Sequence, residues 1–198
     1  MLIAILLTFL VQVLLGLPLF LSLLTSAVVG FFFIDPAMIP RMMPQQFYGG
    51  INAFSLMAIP LFILAGNLMN AAGMTDQLMR LARLLVGHLR GGLGHVNVLS
   101  SVFFAGVNGS AVADTSALGP LLVPSMQKEG YDKAFAAGLT AGSSLVGPII
   151  PPSIFMILYA SLTNVSVGSL FLAGVVPGLI IAAAFMTMNA WYARRHQL

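Results

Sequence analysis

The residues of this chain that could do chemistry gather in two short stretches. Phe103 to Pro124, FFAGVNGSAVADTSALGPLLVP, sets Asn108, Ser110 and Asp114 among three glycines, and Gly147 to Ser153, GPIIPPS, packs three prolines into seven residues. A turn at NGS exposes carbonyls from the segment before it and amides from the segment after it. Ser110 is placed to cap the second segment, with Asp114 in or near its first turn. In the second stretch Pro148, Pro151 and Pro152 donate no hydrogen bonds, which leaves carbonyls around Val146 to Ile149 partly free, and Ser153 is placed to cap the helix that resumes. Helices broken inside a bilayer supply carbonyl and hydroxyl oxygens suited to a dehydrated hard cation such as sodium. The partial positive charge at the helix N-termini of the same breaks suits a substrate carboxylate. The candidate sodium-binding residues are Asn108, Gly109, Ser110, Asp114, Gly147 and Ile149, and the candidate substrate-binding residues are Ser110, Pro151 and Ser153. For Asp114 a structural role, as helix cap or hairpin brace, stands beside direct ion coordination.

Such breaks need a bilayer around them to carry meaning, and the composition supplies one. The 198 residues are 59% hydrophobic and 7% charged, with a mean hydropathy of +1.02. These values place the chain among integral membrane proteins and exclude a soluble domain. At about 20 residues per crossing the length allows roughly six passages or hairpins. The absence of cysteine excludes disulfides, thiolate metal sites and cysteine nucleophiles. The net charge of +3 comes from basic residues lying between apolar segments, where orientation signals belong, so nucleic acid is not an expected partner.

Met1 to Ile34 is uncharged and, as one helix, would run about 51 Å against a hydrocarbon core of about 30 Å. Two short spans joined at GLP (16–18) fit better than one kinked helix, and with no Lys or Arg before Arg41 the first is read as a retained span rather than a signal peptide. DPAMIPRMMPQQ, with three prolines, reads as a loop, and Ile51 to Ala72 as the next span, with Pro60 inside it. In MTDQLMRLARLLVGHLRGGLG, Leu78, Leu81, Leu85 and Leu89 recur at helical spacing while Arg80, Arg83 and Arg90 face elsewhere, the pattern of an amphipathic helix along the membrane interface. Thr75 is its expected N-cap, Asp76 lies in its first turn, and Gly91, Gly92 and Gly94 are expected to stop it. His95 to Gln127 is apolar at both ends and broken at GVNGS. Halves of about 10 to 15 residues, roughly 15 to 22 Å, predict a re-entrant hairpin returning to its own side. Tyr131 to Ala160 is a second broken segment, and Val167 to Tyr192 an ordinary span ending at Trp191, Tyr192, Arg194 and Arg195. If the arm, the QKEGYDK link and the C-terminal stop are all cytoplasmic, seven of the eight basic residues obey the positive-inside rule, and three spans before the arm put the N-terminus outside.

The stretch from Ile59 to Ala160, IPLFILAGNLMNAAGMTDQLMRLARLLVGHLRGGLGHVNVLSSVFFAGVNGSAVADTSALGPLLVPSMQKEGYDKAFAAGLTAGSSLVGPIIPPSIFMILYA, resembles the large membrane subunit of TRAP transporters, the DctM-like family. The spacing of spans and loops agrees over essentially the whole chain. The resemblance implies an all-α integral membrane fold: transmembrane helices, an amphipathic arm, a re-entrant hairpin and a broken helix, forming the first half of an inverted-repeat elevator transporter. It divides the chain into scaffold helices (1–74), arm (75–94), hairpin and broken helix (95–166), and last transmembrane helix with cytoplasmic end (167–198). It implies sodium-coupled import of an organic acid such as a C4-dicarboxylate or sialic acid across the bacterial inner membrane, with no cofactor beyond the coupling ion. Its implied partners are a small membrane subunit (DctQ-like) and a periplasmic substrate-binding protein. NGSAVAD and GPIIPP would jointly hold a sodium ion. Family members carry two inverted repeats and this chain shows one, so no transport is expected unless the other half is supplied.

Enzyme readings fail on chemistry. An aspartyl protease needs two carboxylates sharing a proton, and Asp114 is the only acid deep in an apolar segment. A serine mechanism needs a base, and His88, His95 and His196 sit near predicted interfaces without ligand-like spacing for a metal. The remaining alternative is a membrane scaffold or assembly subunit that transports nothing.

Overall fold

The computed structural model describes residues 1–52 and 54–198, with all their side chains except those of Met38, Phe54, Ser55 and Asn108. Its described residues are helical or irregular, without a strand, as expected for an all-α chain. They form two units, Met1–Ala53 and Phe54–Leu198.

In the first unit, α1 (Leu2–Leu14) and α2 (Leu19–Ile34) form a helical hairpin. Gly16, at φ +78°, and Pro18, at the N-cap of α2, make the corner. Ile5 packs on Gly30, the Thr25 hydroxyl meets Gln12, and these pairings run antiparallel. The two-helix reading of residues 1–34 therefore holds. At 13 and 16 residues the helices span about 20 and 24 Å.

The expected loop at residues 35–46 is a correction. Asp35 caps a 3₁₀ turn, Pro36–Met38, by accepting from the Ala37 amide at 2.9 Å, and α3 (Ile39–Ile51) follows at once. Pro36 and Pro40 fall in first turns, where amides lack partners in any case, so two of the three prolines do not oppose helix; only Pro44 lies inside one.

The second unit holds the motifs. Its helices are α4 (Phe54–Ala71), α5 (Met74–Val86), α6 (Gly92–Asn108), α7 (Ala111–Lys128), α8 (Lys133–Ser143), α9 (Ile154–Thr163) and α10 (Val167–His196). Among the described residues α10 alone is a single helix long and apolar enough to cross a membrane. Helix α4, expected with the scaffold of residues 1–74, packs on α6 and α9.

The amphipathic arm is α5, but its ends differ from expectation. Gly73, at φ +77°, is the N-cap, and the Thr75 hydroxyl turns back to Asn70 instead of capping. The arm stops at Gly87, and Gly91, expected to help stop it, caps the start of α6. Gly91, at φ +70°, presses against Ala193 and the Tyr131 hydroxyl, and Gly94 lies so close to Asn189 that a side chain would overlap it. Gly91 and Gly94 thus serve a close approach of α10, and Gly91 also opens α6.

Helices α6 and α7 run antiparallel, with Asn97 beside Met126 and Phe104 clustered with Leu118, so both open ends lie together as the hairpin reading requires. At 17 and 18 residues each arm is about 26 Å, longer than expected, because Gly92 and Gly94 join α6 and Pro120 and Pro124 sit inside α7. Beyond it, Tyr131 donates to the Gly91 carbonyl at 2.8 Å and the Asn189 amide donates to the same carbonyl at 3.1 Å, tying the hairpin base to α10.

Candidate functional site

The hairpin tip is built as its residue types dictate. Gly109, at φ +56°, ends α6, its amide donating to the Ala105 carbonyl at 3.2 Å. Ser110 is extended and caps α7, its Oγ accepting from the Ala113 amide at 3.4 Å. Asp114 lies in the first turn of α7, where the helix dipole favours a negative charge. Asn108 is the last residue of α6, and its side chain is outside the described residues.

The second break is equally local in origin. Helix α8 tightens into a 3₁₀ turn, Ser144–Val146, and helix resumes at Ile154. Ser153 caps α9 by accepting from the Met156 amide at 3.3 Å, while its hydroxyl donates to the Pro148 carbonyl at 2.7 Å. The Val146 carbonyl accepts from the amides of Ile149 (3.0 Å) and Ile150 (2.8 Å). Among the described residues the carbonyls of Gly147 and Ile149 receive no hydrogen bond, so two of the four carbonyls expected to be partly free are so.

The two breaks meet. A side-chain carbon on Gly109 would stand 2.7 Å from the Pro152 carbonyl oxygen and 3.2 Å from the Ile154 amide. One on Gly147 would stand 3.4 Å from the Ser110 carbonyl carbon and 3.5 Å from the Ala111 amide. Glycine at both positions lets backbone lie on backbone. The structure thus brings Gly109, Ser110 and Gly147 together, with Pro152 and Ser153 at their edge. The Ile149 carbonyl has Gly174 of α10 as a neighbour. Ser153 is buried with its hydroxyl committed inside the break.

Asp114 is 1% exposed, and neither carboxylate oxygen has a hydrogen-bond partner. The hydroxyls of Ser144 and Ser101 stand beside it. Both are engaged elsewhere: Ser144 donates to the Thr140 carbonyl at 2.8 Å, and Ser101 shares a hydrogen with Ser143 at 3.2 Å. An unpartnered buried carboxylate is costly, a cost that a bound cation or a proton would remove.

Sequence reasoning missed the polar seam that leads to this carboxylate. Asn97, Ser100 and Ser101 on α6 and Thr140, Ser143 and Ser144 around the end of α8 are all buried. The Asn97 amide donates to Thr140 Oγ1 at 2.6 Å, leaving Asn97 Oδ1 and Ser100 Oγ without partners. The signal was there: small polar residues spaced three and four apart on each helix put one polar stripe on each facing surface.

A family model described as tripartite ATP-independent periplasmic transporter, DctM component, matches residues 6–198. The chain is 46% identical over 151 residues to the sialic acid TRAP transporter large permease protein of Vibrio cholerae, covering 76% of this chain and 35% of that protein. It is 42% identical over 183 residues to the 2,3-diketo-L-gulonate TRAP transporter large permease protein of Escherichia coli, covering 92% of this chain and 43% of that one. Against the C4-dicarboxylate TRAP transporter large permease protein of Vibrio cholerae, identity is 38% over 177 residues, 89% of this chain and 39% of the relative. The chain spans about two fifths of the length of these curated relatives. With a match over nearly its whole length, the chain belongs to the DctM family of TRAP transporter large permease components.

Proposed function

We propose that this segment binds the coupling sodium ion of a transporter that imports an organic acid across the bacterial inner membrane as a multi-pass protein. The observation that carries the reading is the buried, unpartnered carboxylate of Asp114 behind the junction of two helix breaks. Asp114, Ser110 and the carbonyls around Gly109 and Gly147 would hold the ion, with Asn108 beside them in sequence. Bound sodium supplies the charge that offsets Asp114 and joins the two breaks. The substrate is a carboxylic acid: sialic acid, 2,3-diketo-L-gulonate and C4-dicarboxylates are the compounds named for the relatives, and all carry a carboxylate. The α7 and α9 N-termini supply partial positive charge for it, and Ser110 and Pro151 lie at those ends. Ser153 acts there by holding the α9 terminus in place. The remaining partners are a small membrane subunit and a periplasmic binding protein, and α5 serves as the arm along which the hairpin unit moves in an elevator cycle.

The test is thermal melting of the full-length transporter carrying this segment, in sodium and in potassium. Sodium at a hundred times its Kd adds about 2.7 kcal/mol to a state that alone binds it, and potassium is expected to add nothing. Asp114→Asn is expected to abolish the sodium-dependent rise. Equal melting in both cations would leave a membrane scaffold as the better reading.

A further inference from the structure

The arm helix α5 carries three different faces. Leu78, Met79, Ala82 and Val86 pack on the cluster formed by Val96, Phe104, Leu118 and Leu122. Leu81, Leu84 and Leu85 form a second stripe that is 44%, 74% and 52% exposed, the face an interfacial helix presents to hydrocarbon. Asp76, Arg80 and Arg83, spaced i, i+4, i+7, form a third face between the other two and, with Met79, line an open recess of about 380 Å³. Among the described residues these charges make no ion pair within 4.0 Å, although they share one recess.

Asp76 and Arg80 have the i, i+4 spacing at which opposite charges pair along a solvated helix, yet they form no pair. Here two free guanidiniums and one free carboxylate lie a turn apart beside an apolar stripe. Guanidiniums match a phosphodiester, and a carboxylate one turn away, about 5.4 Å, matches a primary ammonium. An aminophospholipid carries both groups with acyl chains attached, and phosphatidylethanolamine does so without the further carboxylate of phosphatidylserine, which Asp76 would repel. We propose that Asp76, Arg80 and Arg83 form a headgroup site for an aminophospholipid, phosphatidylethanolamine, with the phosphodiester on Arg80 and Arg83, the ammonium on Asp76 and the acyl chains along Leu81, Leu84 and Leu85. The phosphatidylglycerol headgroup offers Asp76 only neutral hydroxyls and no cation, and the quaternary ammonium of phosphatidylcholine has no N–H to donate. The site lies on the arm that precedes the hairpin, so the lipid would anchor the arm at the interface while the hairpin packs on the arm's inner face. It depends on the membrane setting and not on whether Asp114 binds sodium.

The experiment extracts the full-length transporter from vesicles containing equal parts of phosphatidylethanolamine, phosphatidylcholine and phosphatidylglycerol, and counts retained lipids by native mass spectrometry. Retention of phosphatidylethanolamine severalfold above the other two is expected. Asp76→Asn should erase its preference over phosphatidylcholine while leaving total retention near that of the parent, and Arg80→Gln with Arg83→Gln should lower retention of all three. These positions are exposed, so the variants should fold, which equal melting temperatures would show. Equal retention of phosphatidylethanolamine and phosphatidylcholine by the parent, a preference that survives Asp76→Asn, or a lead for phosphatidylglycerol would each overturn the proposal. Displacement of the lipid by millimolar inorganic phosphate would also overturn it, since that marks a free-phosphate site.

Discussion

Asp114 shows how one residue type in one place constrains a whole site. Its position in the first turn of α7 is set by Ser110 capping that helix, and its burial against Ser101 and Ser144 is set by α6 and the turn after α8. A capping role alone would give the carboxylate a backbone amide to accept from, and neither oxygen has one. Asp114→Asn removes the charge that attracts the cation and the cost of burying it. The variant should lose its response to sodium and melt in potassium at or above the parent's temperature, as differential scanning fluorimetry would read. Gly94 offers a second prediction. A methyl group there overlaps Asn189, so Gly94→Ala should cost about 2 kcal/mol through overpacking, measured by denaturant titration in detergent. Asn189→Ala in the same chain should recover part of that loss, because the clash is with that side chain, although the tie from Asn189 to Gly91 is then absent.

At the scale of elements, a hairpin and a broken helix were legible because glycine, proline and capping serines act locally. Ser110 and Ser153 cap the helices they were expected to cap, and both breaks fall where the prolines and NGS place them. The misreadings share a cause. Pro36 and Pro40 looked like breakers but sit in first turns, and Gly91 and Gly94 looked like a stop but face Tyr131, Asn189 and Ala193. Composition shows that a residue is special and not which neighbour makes it so. The contact between the breaks yields its own test. Gly109→Ala meets both a positive φ and the Pro152 carbonyl, so it should cost about 1–3 kcal/mol and weaken sodium binding several-fold, read as a raised sodium concentration for half-maximal stabilisation. Retention of the parent's sodium dependence would show that the tip and the unwound segment bind independently.

For the whole molecule, the expectation is that sodium acts on both breaks at once. Hydrogen exchange of the full-length transporter should slow with sodium at residues 105–114 and 144–154 together, and stay unchanged in α1 and α2, which make their own hairpin. Protection at one break alone would mean that no single ion links them. By itself the sequence determined the membrane setting, the helical elements other than α3, the two interruptions and the family, because hydropathy, helix breakers and caps act through residues close in the chain. Only the tertiary structure decided that Gly109 rests on Pro152 and Gly147 on Ser110, that the Ile149 carbonyl has α10 as a neighbour, that Asn97 meets Thr140, and that Ser101 and Ser144 stand beside Asp114. These contacts join residues 13 to 43 positions apart. Their partners are set by how helices pack against each other, and a periodic pattern marks the buried face of a helix without naming what covers it.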